Sequence, residues 1–126
     1  MSELNLQLGK NGEESAESFL KNSGYKILTR NYKTKLGEID IIAREKDCIC
    51  FVEVKTRNSA DFGLPKEAIT PRKQRQIAKT ALSYLKEKDL LDKRARFDVV
   101  SVLLDETGPK IELIKNAFEL SPEFTY

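Results

Sequence analysis

The sequence has no histidine, two cysteines, six glycines and four prolines among its 126 residues. Without histidine, a zinc cluster and a Ser-His-Asp triad are both excluded. Any catalysis must therefore come from carboxylates, lysine, arginine, tyrosine or glutamine. A hard metal ion is the natural companion of such oxygen ligands.

The two cysteines, Cys48 and Cys50, lie two residues apart in an apolar stretch that is typical of a β-strand. Their Cα atoms would be roughly 6.5–7 Å apart on one strand. That distance is at the strained edge of disulfide geometry. We therefore interpret both as small strand residues rather than as a disulfide.

Long apolar runs are also missing. The N-terminal stretch "MSELNLQLGK" does not resemble a signal peptide, and no 18 consecutive residues are apolar enough for a membrane span. We expect a cytoplasmic protein. The composition, 40% hydrophobic and 33% charged, is that of an ordinary globular domain. We predict one domain over 1–126, with about 1–8 and 117–126 as candidates for flexible tails.

Charge is unevenly distributed although the net charge is only +2. Residues 65–88 contain seven Lys or Arg and two Glu, whereas residues 1–24 contain two Lys and four Glu. A basic segment of this kind favours a nucleic-acid partner. A solvated helix face produces similar counts, so charge alone leaves both interpretations open.

Hydrophobic periodicity predicts an α/β chain with the order α-β-β-β-α-β-β and a mixed sheet between the helices. The first helix is expected from Asn11, a candidate N-cap, to Ser23, with Gly24 ending it. The second is expected from Thr70-Pro71 to about Lys88. The predicted strands cover residues 25–32, 37–43, 48–56, 95–104 and 110–118.

The stretch "GEIDIIAREKDCICFVEVKT" predicts a β-hairpin with Lys46-Asp47 at its turn. Paired residues then have numbers that sum to 93, which sets Asp40 opposite Glu53. One predicted face is apolar: Ile39, Ile41, Ala43, Cys50, Val52 and Val54. The other face carries Glu38, Asp40, Glu53 and Lys55, with Ile42 and Phe51 nearer the turn. Alternation along the strands separates the two sets.

Two opposed carboxylates repel each other, so something must offset the charge. Water, a basic partner, a shared proton or a bound cation could do so. Asp40 and Glu53 together suit Mg²⁺ or Mn²⁺, and Lys55 projects from the same predicted face. The alternative is a solvated polar face with a cross-strand ion pair between Glu38 and Lys55.

Two helix residues point toward the same place. Glu13 lies at the border of the apolar stripe of the first helix and could reach the sheet, whereas Glu14 and Glu17 are expected to be solvated or to cap the helix. Gln74 is on the inward side of the second helix near its N-terminus, where anions bind favourably. A polar residue at a helix end without any such role is the alternative for both.

The segments "GKNGEESAESFLKNSGYKILTRNYKTKLGEIDIIA", "FVEVKTR", "FGLPKEAITPRKQRQIAKTALSYL" and "RFDVVSV" resemble the bacterial YraN-type family along almost the whole chain. That family is similar to archaeal Holliday-junction resolvases and to the PD-(D/E)XK nuclease superfamily. The resemblance implies a restriction-endonuclease-like core. It also implies Asp40 and Glu53 as metal ligands, Lys55 as the catalytic lysine, and Glu13 and Gln74 as supporting residues.

The favoured hypothesis is a Mg²⁺- or Mn²⁺-dependent endonuclease, with the Val54 carbonyl as a further ligand, that recognises branched or junction DNA. A homodimer is expected, because resolvase-like relatives act as dimers. The expected phosphate contacts are Arg57, Lys66, Arg72, Lys73, Arg75 and Lys79. The rivals are a nucleic-acid-binding protein without cleavage activity, and a partner-binding protein whose polar hairpin face is an interface.

Overall fold

The computed structural model describes residues 3–58 and 69–119, and the side chains of residues 12–57 and 69–119. Its elements are α1 (Glu3–Asn22), β1 (Lys26–Thr34), β2 (Gly37–Glu45), β3 (Cys48–Asn58), α2 (Pro71–Glu87), β4 (Arg94–Asp105) and β5 (Gly108–Phe118). The predicted α/β class and the order α-β-β-β-α-β-β are confirmed. Neither helix of the described part is both long and apolar enough to cross a membrane.

The five strands form one mixed sheet in the order β1-β2-β3-β4-β5. Among the described strands, β3 and β4 are the one parallel pair, and α2 is part of the crossover that this pairing requires. The central strands are buried on both faces, as the apolar run in β4 predicts. One apolar cluster lies between the sheet and α1: Ala16, Leu20, Tyr25, Ile41, Ala43, Cys48, Cys50, Val52, Val100 and Val102. The other lies between the sheet and α2: Ile39, Ile42, Ile49, Phe51, Ile77, Ala78, Ala81, Tyr84 and Phe97.

The start of α2 is as predicted. Thr70 is the N-cap, and its hydroxyl oxygen accepts a hydrogen bond from the Lys73 backbone N–H at 3.1 Å. Pro71 occupies the first turn, where no N–H is needed. Its apolar periodicity predicts a buried face of Ile77, Ala78, Ala81, Leu82 and Leu85. The structure differs at the edge of that face, because Thr80 and Tyr84 are buried whereas Leu82 and Leu85 are only half-buried.

The start of α1 was predicted too late. The helix begins at Glu3 rather than at Asn11, because the preceding residues include good helix formers and continue it despite Gly9. Its end is as predicted: Gly24 has a φ of +93°, and the Tyr25 N–H donates to the Leu20 carbonyl at 2.9 Å.

A polar network is buried between the strands on the α1 side of the sheet. The side chain of Asp98 is fully buried and accepts hydrogen bonds from Arg96 Nε at 3.0 Å, Tyr25 Oη at 3.1 Å and the Asn116 backbone N–H at 2.9 Å. Arg96 also donates to Glu45 Oε1 at 2.7 Å. These bonds join Tyr25, just before β1, to β2, β4 and β5 through one carboxylate and its arginine.

Candidate active site

The strands β2 and β3 diverge at Asp40. Their ladder follows the predicted register from Glu45–Cys48 to Ile41–Val52 and ends there. The predicted backbone pairs beyond that point, including Asp40 with Glu53, are not formed. Instead, Asp40 Oδ2 accepts a hydrogen bond from the Val54 backbone N–H at 2.8 Å. A side-chain carboxylate thus takes the place of a strand carbonyl, and this holds Asp40 between the two strands.

Strand alternation is interrupted at the same level. In the β1–β2 ladder Arg30 pairs with Ile41 and Tyr32 with Ile39, but Asn31, with a φ of +52°, is not paired with Asp40. Ile41 then packs on the α1 side of the sheet and Ile39 on the α2 side. The prediction that Ile39 and Ile41 share a face is therefore wrong, because strict alternation requires a regular backbone through Asp40.

Glu53 and Lys55 lie on the α2 side of β3, because Ile49 and Phe51 on the same alternation pack against α2. The Glu53 side chain is only 7% exposed. Its Oε1 atom is 2.6 Å from Lys73 Nζ and 3.8 Å from Lys55 Nζ. Two lysines thus converge on one buried carboxylate.

The contact between Lys73 and Glu53 could not be assigned from the sequence, where Lys73 is expected only as a phosphate contact. A weak signal exists: Lys73 precedes the buried Ile77 by four residues, so it lies on the inward stripe of α2. The sequence does not reveal that the first turn of α2 reaches β3.

The alternative of a solvated polar face with a Glu38–Lys55 ion pair is not what the structure shows. Glu38 is exposed and lies 3.7 Å from Lys33 Nζ across the β1–β2 pair. Lys55 is half-buried beside Glu53. The polar residues at this end of the hairpin are therefore divided between an exposed pair and a buried cluster.

The electrostatics of the cluster are those of closely spaced charges that are partly removed from water. Burial, followed by the negative charge of Glu53 and to a smaller extent of Glu13, raises the pKa of Asp40 to about 7. Burial and the adjacent charge of Lys73 lower the pKa of Lys55. Burial also opposes charge on Lys73, but the hydrogen bond and charge of Glu53 outweigh it and raise the pKa of Lys73.

Glu13 comes near the cluster because α1 packs very closely on β3. Gly12 is buried, and a Cβ atom there would lie 2.9 Å from Thr56 Cβ and overlap the Thr56 hydroxyl. No pattern in the sequence singles out Gly12. It lets the helix approach the end of β3 and brings the half-buried Glu13 within electrostatic reach of Asp40. Glu17, expected to be solvated or to cap the helix, instead forms ion pairs with Lys21 at 3.2 Å and Arg30 at 2.9 Å.

We expect Gly12→Ala to lower the free energy of unfolding by about 1–3 kcal/mol, because the added methyl group must displace α1 or Thr56. At an unconstrained helical site the same change stabilises by about 1 kcal/mol, so the sign is diagnostic. Urea unfolding measures it. Ser18→Ala, at an exposed position of α1, is the control and should have little effect, while adding Thr56→Ala should recover part of the loss. An unfolding midpoint for Gly12→Ala equal to or above that of the wild type would contradict this close packing.

Gln74 lies on the half-buried side of α2, and its amide Nε2 donates to the Ile69 carbonyl at 3.1 Å. It thereby fixes the chain as it enters the helix. Gln74 follows Lys73 directly and precedes the buried Ile77 by three residues, and its amide bonds to the chain at the helix entrance rather than to the carboxylates of the cluster.

The predicted phosphate contacts occupy different settings. Arg72, Arg75 and Lys79 are exposed on α2 and lie along one side of it. Lys73 is engaged with Glu53, and Arg57 is half-buried on β3. Lys66 lies outside the described residues. Arg72, Arg75 and Lys79 therefore lie on the outer side of α2, whereas Lys73 on its inward side contacts Glu53.

The carboxylates of the cluster meet only part of what a hard cation requires. Among the described residues no three Cys, Asp or Glu side chains are grouped as a ready-made metal cluster. Mg²⁺ is commonly held by one or two carboxylates, retains several waters and completes its shell with substrate phosphates. Asp40 and Glu53 fit that smaller requirement. Burial first, and then the charge of Glu53, raises the pKa of Asp40, so its ionised form is poorly compensated and a divalent cation would stabilise it.

Comparisons with known proteins give close relatives and distant structural similarities. The model of the "Uncharacterised protein family UPF0102" matches residues 12–102. A UPF0102 protein of Syntrophus aciditrophicus is 54% identical over 117 residues, covering 93% of this chain and 92% of the relative. One from Geotalea daltonii is 52% identical over 118 residues, covering 93% of each.

Two solved structures resemble this chain at much lower sequence identity. "The structure of Pyrococcus Furiosus SfsA in complex with Ca2+" has a TM-score of 0.39 and 14% identity, covering 92% of this chain and 65% of that one. "Crystal structure of SSO0001" has a TM-score of 0.38 and 20% identity, covering 89% and 52%. Both TM-scores are below 0.5, so neither similarity assigns an activity to this chain.

Proposed function

We propose that this chain, which belongs to the uncharacterised protein family UPF0102, is a metal-dependent nuclease that hydrolyses DNA phosphodiester bonds. Membership confirms the YraN-type resemblance of its motifs. The observation that carries the proposal is the buried cluster in which Asp40 lies between two diverging strands while Lys55 and Lys73 converge on Glu53.

The chemistry needs a cation, a positioned water and charge stabilisation at the phosphate. A divalent cation, when bound, supplies Lewis acidity and lowers the pKa of water. Asp40 and Glu53 would hold it, and the Val54 carbonyl is the further ligand proposed. The hydrogen bond from the Val54 N–H fixes the orientation of the Asp40 carboxylate before any ligand arrives.

Lys55 would orient the attacking water and stabilise negative charge on the phosphate. Its ammonium is beside Glu53 and half-buried, so it is held by the sheet rather than by a mobile loop. A charge fixed in a site of restricted water access stabilises a transition state more strongly than the same charge in bulk water. Glu13 would act from α1 by adding negative charge near Asp40.

Exposed Arg72, Arg75 and Lys79 would contact the phosphate backbone beside this site. Such contacts give affinity without reading sequence. We therefore propose recognition of DNA shape, with branched or junction DNA as the substrate and a homodimer as the active form.

The Lys73–Glu53 ion pair favours a second candidate, a nucleic-acid-binding protein without cleavage activity. An ammonium 2.6 Å from Oε1 already neutralises one carboxylate of the site. In that case the buried cluster would serve stability, and the basic face of α2 would be the functional part.

The two candidates differ in one assay. Branched, flapped, single-stranded and linear DNA are incubated with the purified protein and Mg²⁺, Mn²⁺ or EDTA, alongside Asp40→Ala, Glu53→Ala and Lys55→Ala. Cleavage that needs the metal and is lost in each variant supports the nuclease. Cleavage that survives EDTA or all three substitutions would exclude this site, and tight binding without cleavage on every substrate supports the second candidate.

Lys73→Met is expected to tighten Mn²⁺ binding by about tenfold or more. The wild-type ammonium competes with a cation for Glu53, and a hydrogen bond between charged groups contributes about 1.5–3 kcal/mol. Calorimetric titration of the DNA-free protein measures the affinity, with Lys79→Met on the exposed side of α2 as the control. Unchanged or weaker binding in Lys73→Met would show that Lys73 does not compete with the cation.

A further inference from the structure

A cleft of about 270 Å³ lies between the β1–β2 turn and the outer side of α2. We call it the hairpin cleft. It is lined by Leu36, Lys79, Leu82, Ser83 and Lys86. Leu36 is 49% exposed, and only one other large hydrophobic side chain of the described residues, Leu91, is also exposed.

The cleft is preformed because the hairpin is anchored on α2. Gly37 approaches the helix so closely that a Cβ atom there would lie 3.2 Å from Thr80 Oγ1. The Tyr32 hydroxyl donates to Glu87 Oε2 at 2.8 Å, and its ring meets the Tyr84 ring edge-on at 5.2 Å. These contacts hold the turn against the helix and leave Leu36 projecting at the rim.

The positive charge around the hairpin cleft suits a polyanion. Lys79 and Lys86 line it, and Arg72 and Arg75 precede them on the same side of the helix, because spacings of three, four and seven residues return to one face. The nearby Glu87 already accepts the hydrogen bond from Tyr32. An apolar surface bordered by cations is the chemistry that binds an unstacked nucleotide, with the base on the apolar part and phosphates on the cations.

We propose that the hairpin cleft holds an unpaired or unstacked nucleotide of a branched DNA, with its base against Leu36 and Leu82 and its phosphates at Lys79 and Lys86. This inference rests on the proposed function. Lys79 and Lys86 follow Lys73 by six and thirteen residues, or about 9 and 20 Å along the helix axis. Along the helix axis alone, at about 3.4 Å per stacked nucleotide, this offset is roughly three to six nucleotides. The cleft lies on the outer side of α2, whereas Lys73 lies on its inward side.

The placement gives a physical basis for selecting branched DNA. A nucleotide at a branch or flap is already unstacked, whereas one inside a duplex must first be removed from the stack. A binding site for an unstacked base therefore favours branched over linear DNA without reading sequence.

Binding is tested in EDTA, where no metal-dependent cleavage can occur, by fluorescence anisotropy of flapped and linear DNA. Leu36→Ala is compared with Leu91→Ala, the matched control at the other exposed leucine. We expect Leu36→Ala to weaken binding of flapped DNA by about tenfold with little effect on linear DNA. Leu91→Ala should affect neither. Thermal unfolding of both variants checks that they fold.

A second variant tests the cations. The slope of the binding constant against salt concentration reports the number of phosphate contacts. For flapped DNA, Lys79→Gln with Lys86→Gln should lower that number by about two. The control, Lys88→Gln with Lys93→Gln at two other exposed lysines, should leave it unchanged. Equal affinities for Leu36→Ala and Leu91→Ala would overturn the inference, and binding of a peptide in the cleft without any DNA effect would do the same.

The two proposals fail in different ways. Metal-dependent cleavage that is unchanged in Leu36→Ala would support the proposed nuclease and refute the proposed nucleotide site in the hairpin cleft. Loss of flapped-DNA selectivity in Leu36→Ala, with no cleavage by any form of the protein, would leave the cleft intact and remove the nuclease.

Discussion

Replacing Asp40 with asparagine is expected to stabilise the metal-free protein at pH 8 while abolishing cleavage. Asp40 is held between β2 and β3 with its pKa raised to about 7 by burial and by the charge of Glu53. Keeping that carboxylate ionised costs folding free energy. The upward shift corresponds to a penalty on the order of 4 kcal/mol. Asparagine has no such charge and can still accept the hydrogen bond from the Val54 N–H.

The titration of Asp40 determines how the stability difference between the wild type and Asp40→Asn changes with pH. The folded-state pKa is raised above the unfolded value, so the contribution of Asp40 to stability is fully present below about pH 4 and is lost as the pH rises through about 7. The metal-free wild type should therefore lose stability between pH 5 and pH 8 relative to Asp40→Asn. Urea unfolding at several pH values measures the difference between the two proteins.

Glu38→Gln is the matched control, because it removes an exposed carboxylate from the same strand. It should change neither stability at pH 8 nor cleavage by much. If Asp40→Asn were less stable than the wild type at pH 8, the carboxylate would be stabilising in the folded protein. Burying this carboxylate would then not cost folding free energy.

Replacing Asp98 with alanine is expected to have the opposite effect, a loss of about 3–5 kcal/mol at neutral pH. Asp98 is fully buried, and both of its oxygens accept hydrogen bonds. Without it, Glu45 is the one acidic partner left to Arg96 among the described residues, and the Asn116 N–H loses its acceptor. Breaking one side of a buried ion pair is severe because the other charge stays uncompensated.

Urea unfolding measures this loss, and Asp105→Ala provides a comparison at a less buried aspartate that pairs with Lys110 at 3.2 Å. Adding Arg96→Met to Asp98→Ala should recover part of the stability, because it removes the uncompensated charge. A loss below about 1 kcal/mol for Asp98→Ala would show that the network contributes little beyond what an apolar contact would. The two aspartates thus differ in their surroundings. Hydrogen-bond donors surround the Asp98 carboxylate, whereas the Asp40 carboxylate is buried beside the like charge of Glu53.

Much of the fold could be predicted from the sequence because it depends on short-range patterns. The alternation of apolar residues and the polar Lys46-Asp47 turn fixed the hairpin register from Glu45–Cys48 to Ile41–Val52. Thr70-Pro71 located the start of α2 for a local stereochemical reason. Such signals lie within one element and do not need the third dimension.

The features that were missed are long-range or depend on irregular backbone. The change of face between Ile39 and Ile41 follows from the side chain of Asp40 taking a position in the sheet, and Asn31 adopts a positive φ beside it. The contact of Lys73 with Glu53 and the approach of Gly12 to Thr56 both bring a helix onto β3. Periodicity gives the inward side of each helix but not its position along the sheet.

The most direct test of the central claim is a titration of Mn²⁺ into the protein, with and without duplex DNA, followed by the electron paramagnetic resonance signal of unbound Mn²⁺. The wild type should bind Mn²⁺ at a site that Glu53→Gln and Asp40→Asn each lose, whereas Asp105→Asn, at a carboxylate far along β4, should retain it. Equal binding by the wild type, Glu53→Gln and Asp40→Asn, or no binding by the wild type in either condition, would contradict a metal site between β2 and β3.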